Sequence, residues 1–399
     1  MEKLKNIPSL RFPEFDGEWE IKQLGEIGEI NPSNKNLPNK FIYIDLESVE
    51  NGQLLKENEV LKNEAPSRAQ RILVKNDILF QMVRPYQMNN LFFDKEGVFV
   101  ASTGYAQIRT ESNPRFLYQY LHLQKFVDKV IERCTGTSYP SINSTDLSKI
   151  SISLPEFTEQ TKIATFLTAV DDKLQALKQK KTLLEQYKKG VMQKIFSQEL
   201  RFKDDNGNDY PDWEEKKLGD TLNITIDNRG KTPPTLDHGI PLLEVNSIGN
   251  KNIKYNAVSK FVSELTFETW FRKHLKEGDV LFSTVGNTAL CSYYDGNIKA
   301  CIAQNIVGLR FNTEVGLFMY YLLIEDKNNN KFKQIEMGAV QPSVKVSQMI
   351  DLYFEIPSTP EQTKIANFLS AIDDKINHCQ SQIEKMDVWK KGLLQQMFV

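Results

Sequence analysis

Few residues of this sequence have the types and spacing that catalysis requires. The stretch PDWEEK (211–216) superficially resembles the carboxylate–lysine motif of metal-dependent nucleases. Its acidic residues Asp212 and Glu214 are too close for the separate strands that usually carry metal-bound carboxylates. Trp213 has a counterpart in Trp19, so we expect this tryptophan to pack in a core. The stretch is therefore a weak candidate for a nuclease site.

Other catalytic motifs are missing as well. The Pro-Pro pair in TPPT (232–235) lacks the flanking residues of an amino-group methyltransferase, and the sequence has no GxxxxGK[ST] phosphate loop. The four histidines and four cysteines are scattered, without a CxxC pair or the spacing of zinc ligands. No Ser-His-Asp or Cys-His arrangement recurs along the chain. These absences favour a binding protein that has no catalytic site, metal or cofactor of its own.

Composition and length limit the class of protein. A chain of 399 residues with 40% hydrophobic and 26% charged residues is typical of a soluble protein with more than one domain. No apolar run approaches twenty residues, and MEKLKNIPSLRF (1–12) does not resemble a signal peptide, so a cytoplasmic location is expected. The net charge of −2 counts against a protein that holds nucleic acid without help from a partner.

An internal repeat organises the whole chain. EQTKIATFLTAVDD (159–172) returns almost unchanged as EQTKIANFLSAIDD (361–374), 202 residues later. At the same offset KNDILF (75–80) matches EGDVLF (277–282), and the Lys-Lys-Gly at 188–190 returns at 390–392. The repeat predicts duplication of a complete domain, because its period is too long for a solenoid.

The loops between these matching segments differ. QMVRPYQMNNL (81–91) follows the first KNDILF-type segment, whereas STVGNTAL (283–290) follows the second. Two related modules that read different ligands would show this pattern. Drift in unconstrained loops is the alternative.

Two long helices follow from heptad periodicity. Residues 158–197 contain no proline and a single glycine, and apolar residues recur along them every seven positions. The second copy begins with Thr359 as N-cap and Pro360 at the first helical position. Each helix of about 40 residues would be roughly 60 Å long. We expect the two to pack antiparallel within one chain; an intermolecular coiled-coil dimer is the alternative. The seam residues expected to pack the pair and dock partners are Ile163, Phe166, Leu167, Val170, Leu174, Leu177, Leu184, Ile365, Phe368, Leu369, Ile372, Ile376 and Met386.

The predicted fold class is α+β, in two tandem modules related by a pseudo-twofold axis. Runs rich in β-branched and aromatic residues at 40–49, 71–80 and 97–109 predict short strands, with counterparts in the second copy. Residues 115–133 and 316–336 predict one or two helices each. The expected divisions are module one at 1–157, a helix at 158–199, module two at 200–357 and a helix at 358–399. Linking segments occupy 1–24 and 200–218, and both contain the tripeptide LRF, at 10–12 and 200–202.

At this point the residues resemble a known family, the specificity subunit of type I restriction–modification enzymes. Each copy contains a predicted strand, NDILF or GDVLF, which is followed by a loop that contains Gly, Pro and Ser. A second strand then ends in Leu-Pro or Ile-Pro. EQTKIA and the long helix follow it. The matching segments are 76–80, 278–282, GTSYPSINSTDL (136–147), GAVQPSVKVSQM (338–349), Leu154-Pro155 and Ile356-Pro357.

The resemblance implies two target-recognition domains, each reading one half of a split, asymmetric site in double-stranded DNA. It also implies that the helices set the gap between the half-sites and dock two methyltransferase subunits. Those subunits would bind S-adenosylmethionine and methylate adenine N6, and ATP-using motor-nuclease subunits would cleave unmethylated DNA. S-adenosylmethionine and ATP are therefore expected on the partners only. Two alternative interpretations of the sequence are a stand-alone scaffold protein and an enzyme with an unrecognised site.

The candidate DNA-binding residues come from the loops that differ between the copies. Arginine suits guanine in the major groove, and asparagine and glutamine suit adenine. Any one of these residues could instead be a solvated loop residue. The candidates are Arg68, Arg71, Arg84, Tyr86, Gln87, Asn89, Asn90, Thr137, Ser138 and Tyr139 in module one, and Arg229, Lys231, Asn246, Ser247, Asn287, Thr288 and Gln341 in module two.

Overall fold

The computed structural model describes residues 6–34, 36–228, 230–338 and 340–399. The chain divides into two compact units. Unit 1 comprises Met1–Lys178 with Ser381–Val399, and unit 2 comprises Gln179–Gln380. Each unit therefore includes one module and part of both long helices. No helix in the described part of the chain is long and apolar enough to cross a membrane.

Unit 1 is an α+β structure, as predicted. Its strands are β1 (Glu20–Gln23), β2 (Gly28–Ile30), β3 (Lys40–Ile44), β4 (Val49–Glu50), β5 (Gln53–Leu54), β6 (Asn58–Leu61), β7 (Ala69–Ile72), β8 (Ile78–Gln81), β9 (Leu91–Phe92), β10 (Phe99–Ser102), β11 (Tyr105–Thr110) and β12 (Ser151–Leu154). Its helices are α1 (Leu24–Ile27), α2 (Pro114–Tyr120), α3 (Gln124–Ile131), α4 (Ser144–Ser148) and the first part of α5 (Phe157–Phe196).

Two four-stranded sheets form the body of module one. Their strand orders are β6-β3-β10-β7 and β2-β11-β8-β9, and β1 pairs with β12. Only the β3–β10 pairing in the four-stranded sheets of this unit is parallel. The predicted run 71–80 is split into β7 and β8, which belong to different sheets. The split occurs because Asn76 is left-handed, at φ 73°, and the Asp77 carboxylate accepts from the Val74 N–H at 2.8 Å.

Unit 2 repeats this plan with differences. Its strands are β13 (Glu214–Lys217), β14 (Leu222–Ile226), β15 (Ile240–Leu243), β16 (Phe261–Val262), β17 (Val280–Ser283), β18 (Cys291–Tyr293), β19 (Cys301–Ile302), β20 (Ile306–Phe311) and β21 (Tyr353–Ile356). Its helices are α6 (Leu218–Thr221), α7 (Glu264–Trp270), α8 (Gly316–Ile324), α9 (Asp326–Gln334), α10 (Val346–Met349) and the first part of α11 (Thr359–Met397).

The sheets of unit 2 have the orders β14-β20-β17-β18 and β16-β15-β19, and β13 pairs with β21. Among the described residues of this unit no strand corresponds to β7. The chain there continues from α7 into an irregular segment at 271–275. Module two is therefore α+β as well, but one of its sheets is narrower.

An ion pair between a buried aspartate and a partly exposed arginine recurs in the two modules. Asp77 is fully buried, and the Arg109 guanidinium donates to both of its oxygens at 2.9 Å. In unit 2 Arg310 holds the fully buried Asp279 in the same way, at 2.8 Å. The shared aspartate of KNDILF and EGDVLF is therefore structural, because its charge is compensated inside the fold.

The long helices pack antiparallel within each unit, as predicted. In unit 1 the Phe166 ring contacts Trp389, with centroids 6.1 Å apart, while Leu174 and Leu177 pack with Ile383. In unit 2 the end of α5 shares a core with the beginning of α11. Helix α11 begins at Thr359, one residue before Pro360, which was expected at the first helical position.

Most of the predicted seam residues lie inside these cores. Phe166, Leu184, Phe368, Ile376 and Met386 are half-buried, and the rest are buried. The buried ones are Ile163, Leu167, Val170, Leu174, Leu177, Ile365, Leu369 and Ile372. The seam therefore serves packing within the chain.

The doubled EQTKIA peptide anchors each module to its helix. Glu159, at the start of α5, is almost fully buried and accepts two hydrogen bonds from the Arg11 guanidinium, at 2.8 and 2.7 Å. The Gln160 amide donates to the Pro155 carbonyl and accepts from the Asn113 N–H. Glu159 and Gln160 thus connect the start of α5 to the LRF segment, to the end of the preceding strand and to the start of α2.

The second copy makes the equivalent contacts and one more, from the Trp213 indole. Glu361 is fully buried and accepts from Arg201 of the second LRF segment and from the Trp213 indole at 3.2 Å. Gln362 bonds the Pro357 carbonyl and the Val315 N–H. Trp213 is thus a packing residue of unit 2, while its neighbour Asp212 is fully exposed.

Replacing Gly190 by alanine is expected to stabilise the chain. Gly190 lies inside α5, and a Cβ at this position would meet nothing within 4 Å. Alanine restricts the unfolded chain and favours the helix, which predicts a gain of about 0.5–1 kcal/mol in the free energy of unfolding. Urea unfolding followed by circular dichroism measures it.

Gly316→Ala is the opposing control. Its Cβ would lie 1.9 Å from the Gly278 carbonyl oxygen, so this change is expected to destabilise unit 2. A Gly190→Ala variant that unfolds at lower urea than the original chain would contradict the prediction.

Candidate nucleic-acid interface

Four segments of module one are joined into one surface by backbone hydrogen bonds. The Thr103 N–H donates to the Arg68 carbonyl at 2.8 Å, and the Met82 N–H donates to the Gly104 carbonyl at 3.0 Å. The Arg84 N–H donates to the Pro140 carbonyl at 2.8 Å. Loops far apart in sequence therefore form a continuous face. We call it surface 1, formed by residues 66–71, 82–89, 103–104 and 137–141.

Arg84 is fixed at the centre of surface 1. Its backbone is left-handed, with φ 53°, and it precedes a 3₁₀ turn, Pro85–Gln87, that ends in another left-handed residue, Met88. Non-glycine residues adopt this conformation at an energetic cost, and such positions cluster at functional sites. The Arg84 guanidinium lies over the Tyr139 ring, 4.1 Å from its centroid. The loops of both residues thus hold a cation in one orientation.

Surface 1 contains the arginines of unit 1 whose side chains form neither an ion pair nor a hydrogen bond among the described residues. Arg11, Arg109 and Arg115 of unit 1 each pair with an acidic side chain, and Arg133 donates to the Lys129 carbonyl of the preceding helix α3. Among the described residues no carboxylate pairs with the other three, which are Arg68, Arg71 and Arg84. All three lie on surface 1, which is therefore positively charged.

Arg71 is the most enclosed of the three. It lies on β7, half-buried, and its Nε is buried without a hydrogen-bond partner among the described residues. Burial lowers the pKa of Arg71, since a charged guanidinium is less stable away from water. An incoming anion or base edge would relieve that cost.

The structure brings most other candidates of module one to the same face. Tyr86, Gln87, Thr137, Ser138 and Tyr139 are exposed. The exposed aromatic rings offer stacking surfaces and the hydroxyls offer donors.

Asn89 and Asn90 differ from these residues. Asn89 is half-buried, and its Oδ1 accepts from the Asn51 N–H at 3.2 Å. Asn90 is only 1% exposed, and its Oδ1 accepts from the Gln81 N–H at 2.8 Å. The expectation that Asn90 contacts DNA therefore needs correction, because its amide holds the loop from inside and does not reach the surface.

Unit 2 has a related face with different side chains. The Gly286 N–H donates to the Pro342 carbonyl at 2.8 Å, and the Thr284 N–H donates to the Asn305 carbonyl at 2.8 Å. These bonds repeat those of Arg84 and Met82. Asn287 and Gln341 are exposed beside them. We call this face surface 2, formed by residues 284–287, 305 and 340–343.

The remaining candidates of module two have mixed positions. Lys231 is exposed, and Asn246 is exposed with its amide donating to the Ala257 carbonyl. Arg229 lies outside the described residues. Ser247 is fully buried and donates to the Glu244 carbonyl, while the buried Thr288 bonds Glu336. The predicted DNA contacts of Ser247 and Thr288 are corrected for the same reason as that of Asn90.

Two cationic residues of unit 2, Arg272 and Lys273, were not among the candidates taken from the sequence. Arg272 is exposed and has no carboxylate partner among the described residues. Its neighbour Lys273 donates to the Thr225 carbonyl at 2.9 Å, in the chain that leads towards Lys231. Lys273 lies 202 residues after Arg71, which is the offset of the repeat. Comparison of the two copies could therefore have identified this region from the sequence.

Known proteins with a similar sequence carry the same repeat. Residues 16–186 and 210–385 match the family model described as type I restriction modification DNA specificity domain. The chain is 23% identical to the type I restriction enzyme MjaVIII specificity subunit of Methanocaldococcus jannaschii over 415 residues, covering 98% of this chain and 94% of the relative. It is 26% identical over 196 residues to the HindI specificity subunit of Haemophilus influenzae, covering 45% and 41%.

Solved structures show the same fold. The S subunit of the type I restriction-modification system of M. genitalium superposes with a TM-score of 0.63 at 14% identity, covering 98% of this chain and 99% of that one. A chain from a type I restriction-modification system solved for its complex assembly and conformational transition gives 0.55 at 20% identity, covering 95% and 97%. The chain belongs to the type I restriction modification DNA specificity family and carries the family's domain twice.

Proposed function

We propose that this chain is the non-catalytic DNA-recognition subunit of a type I restriction–modification complex. Surface 1 and surface 2 would each read one half of a bipartite, asymmetric site in the major groove. The observation that carries the proposal is that surface 1 contains the three arginines of unit 1 whose side chains form no ion pair or hydrogen bond among the described residues. Unpaired guanidinium groups suit phosphates and guanine edges, and Arg84 is already oriented by Tyr139.

The differences between the surfaces support two different half-sites. Arg84 and Tyr139 of surface 1 correspond to Gly286 and Gln341 of surface 2 at the repeat offset. Two of the three backbone bonds of surface 1 have equivalents in surface 2, so a similar backbone frame presents different side chains. A cation and an aromatic ring favour guanine and stacking, whereas Gln341 and Asn287 favour adenine. The framework is shared and the recognition chemistry differs.

The helices are proposed to dock two methyltransferase subunits and to set the gap between the half-sites. Large apolar side chains are exposed at the same repeat position on both helices. Tyr187 of α5 is 53% exposed and Trp389 of α11 is 48% exposed. Exposed aromatic residues of this kind are enriched at protein interfaces. We place the docking sites around these two residues.

Phe166 and Phe368, which the sequence suggested for docking, contact their own chain. Their rings pack on Phe12 and Phe202 of the LRF segments, at 5.9 and 5.4 Å. Their substitution is still proposed to impair assembly while target choice is unaltered, because they support the helix surface. The docked subunits would bind S-adenosylmethionine and methylate adenine N6, and motor-nuclease subunits would use ATP to restrict unmethylated DNA.

A methylation map of host cells tests the proposal. Cells with and without this chain are compared by sequencing that detects N6-methyladenine. The expected result is one split, asymmetric motif that disappears when the chain is deleted. The Asp212→Asn, Glu214→Gln double variant should retain the motif, because these exposed carboxylates are proposed to have no catalytic role. An unchanged map on deletion, with no complex on co-expression, would favour a stand-alone scaffold.

A further inference from the structure

A three-residue polar cluster joins module to helices in each unit. In unit 2 Lys188 of α5 donates to Asp373 of α11 at 2.6 Å, and the Tyr321 hydroxyl of α8 donates to the other Asp373 oxygen at 2.6 Å. Tyr321 is fully buried, and the Asp373 side chain is 12% exposed. One carboxylate therefore bonds a side chain from each of two other elements.

Unit 1 contains the equivalent cluster. Lys390 of α11 pairs with Asp171 of α5 at 2.6 Å, and the Gln119 amide of α2 donates to the other Asp171 oxygen at 2.6 Å. All three positions lie 202 residues from their counterparts, with the roles of α5 and α11 exchanged. The aspartate and lysine are kept, whereas glutamine replaces tyrosine. We call these clusters latch 1, in unit 1, and latch 2, in unit 2.

The latches fix the orientation of each module on its helices, which apolar packing alone does not specify. Hydrophobic contact is non-directional, whereas a charge-assisted hydrogen bond requires defined distances and angles. Buried ion pairs often stabilise a protein no better than apolar residues of similar volume, so their presence at both positions points to a role in positioning. Burial, followed by the charge of Asp373, raises the pKa of Tyr321, which keeps its hydroxyl protonated as a donor.

The two latches differ in strength. The Asp171 side chain is 30% exposed, and the Gln119 Oε1 is buried without a partner among the described residues. Unit 2 has further polar links between module and helix, since Lys251 bonds Ser370 and Asp374 and Lys189 pairs with Asp326. Among the described residues the corresponding positions of unit 1 form no such pairs. Module two is therefore held by more polar bonds than module one.

We propose that latches 1 and 2 are positioning clusters that hold each reading surface at a fixed angle on its helices and so restrict which gap lengths between half-sites are accepted. The inference rests on the proposed function and adds a residue-level cause for gap selectivity. Latch 1 is the less supported of the two, because fewer polar bonds among the described residues join module one to its helices. Its loss should broaden gap selectivity more than the loss of latch 2.

The test uses the complete chain co-purified with its methyltransferase subunits. Duplexes carry the mapped half-sites at the native gap and at gaps one base pair shorter or longer. Methylation rates are measured for the original chain, Asp171→Asn and Asp373→Asn. The ratio of native-gap to altered-gap rates is expected to fall by about two- to thirtyfold in each latch variant, with the larger fall for Asp171→Asn. A panel of altered half-sites should give unchanged preferences, which a general loss of folding would not do.

Matched variants separate the latch from other effects. Asp172→Asn removes the same charge from the next residue, which is exposed, and should keep the original gap profile. If an aspartate variant does not assemble, Tyr321→Phe and Gln119→Leu remove a single neutral bond from each latch and should still broaden the profile.

Two outcomes would overturn the inference in different ways. Folded latch variants with the gap profile of Asp172→Asn would refute positioning by the latches and leave the proposed function intact. Absence of split-site methylation by the original complex would refute the proposed function and, with it, this inference.

Discussion

Replacing Arg84 by alanine is expected to remove the preference for one base pair in the half-site read by module one. The Arg84 guanidinium is held over Tyr139 and has no carboxylate partner among the described residues, so it is available for two hydrogen bonds to a guanine. Such a contact contributes about 1–3 kcal/mol of discrimination, or roughly 5- to 150-fold. The methylated motif should become degenerate at that position, while the half-site read by module two is unchanged.

Motif-level methylation sequencing of cells that express the variant measures this effect. Arg133→Ala is the matched control, because Arg133 is exposed and its side chain, among the described residues, donates to the Lys129 carbonyl of the preceding helix α3 alone. Tyr139→Phe keeps the ring beneath the guanidinium and should preserve the motif, whereas Tyr139→Ala should weaken the preference at the same position. If Arg84→Ala and Arg133→Ala give the same motif, Arg84 does not read a base.

The change Glu361→Gln is expected to lower the stability of unit 2 by about 1–3 kcal/mol. The Glu361 carboxylate is fully buried and bonds both the Arg201 guanidinium and the Trp213 indole. A glutamine keeps the shape but replaces one acceptor oxygen with a donor that faces other donors. The anchor between the LRF segment and α11 should therefore loosen.

Thermal unfolding and urea unfolding of the purified chain measure this loss. Glu214→Gln serves as the control, because its side chain is 73% exposed and pairs, among the described residues, with Lys216 alone, so its effect should be small. Glu159→Gln should reproduce the loss in unit 1, where Arg11 occupies the place of Arg201. Equal stability of Glu361→Gln and Glu214→Gln would show that the doubled peptide does not anchor the module.

The doubled peptides and the loop residues of the two surfaces have different expected roles. The two EQTKIA peptides are identical, and each makes buried contacts with an LRF arginine and a preceding proline. Arg84 and Gly286 differ in residue type although their backbone N–H groups make equivalent bonds, to Pro140 and Pro342. A substitution in the first class should change stability, and one in the second class should change the recognised sequence.

Much of the organisation was readable from the sequence, because it depends on local periodicity and on self-comparison. The 202-residue offset predicted two equivalent modules, and the heptad seam predicted two long helices that pack antiparallel. Strand limits were less well predicted. The run 71–80 became two strands in different sheets, since the Asp77 side chain and the left-handed Asn76 create a turn that no periodic pattern records.

The site depended on tertiary structure. Asn90, Ser247 and Thr288 have the same residue types as exposed base-contacting side chains, yet the fold buries them and satisfies their hydrogen bonds internally. The sequence likewise does not show which arginines form ion pairs. Arg109 pairs with Asp77, which lies in the turn before β8, whereas Arg84 pairs with no carboxylate among the described residues. Sequence determines the repeating frame through short-range spacing. Burial and charge pairing depend on residues that are distant in sequence, so only the folded chain decides which side chains are left to bind DNA.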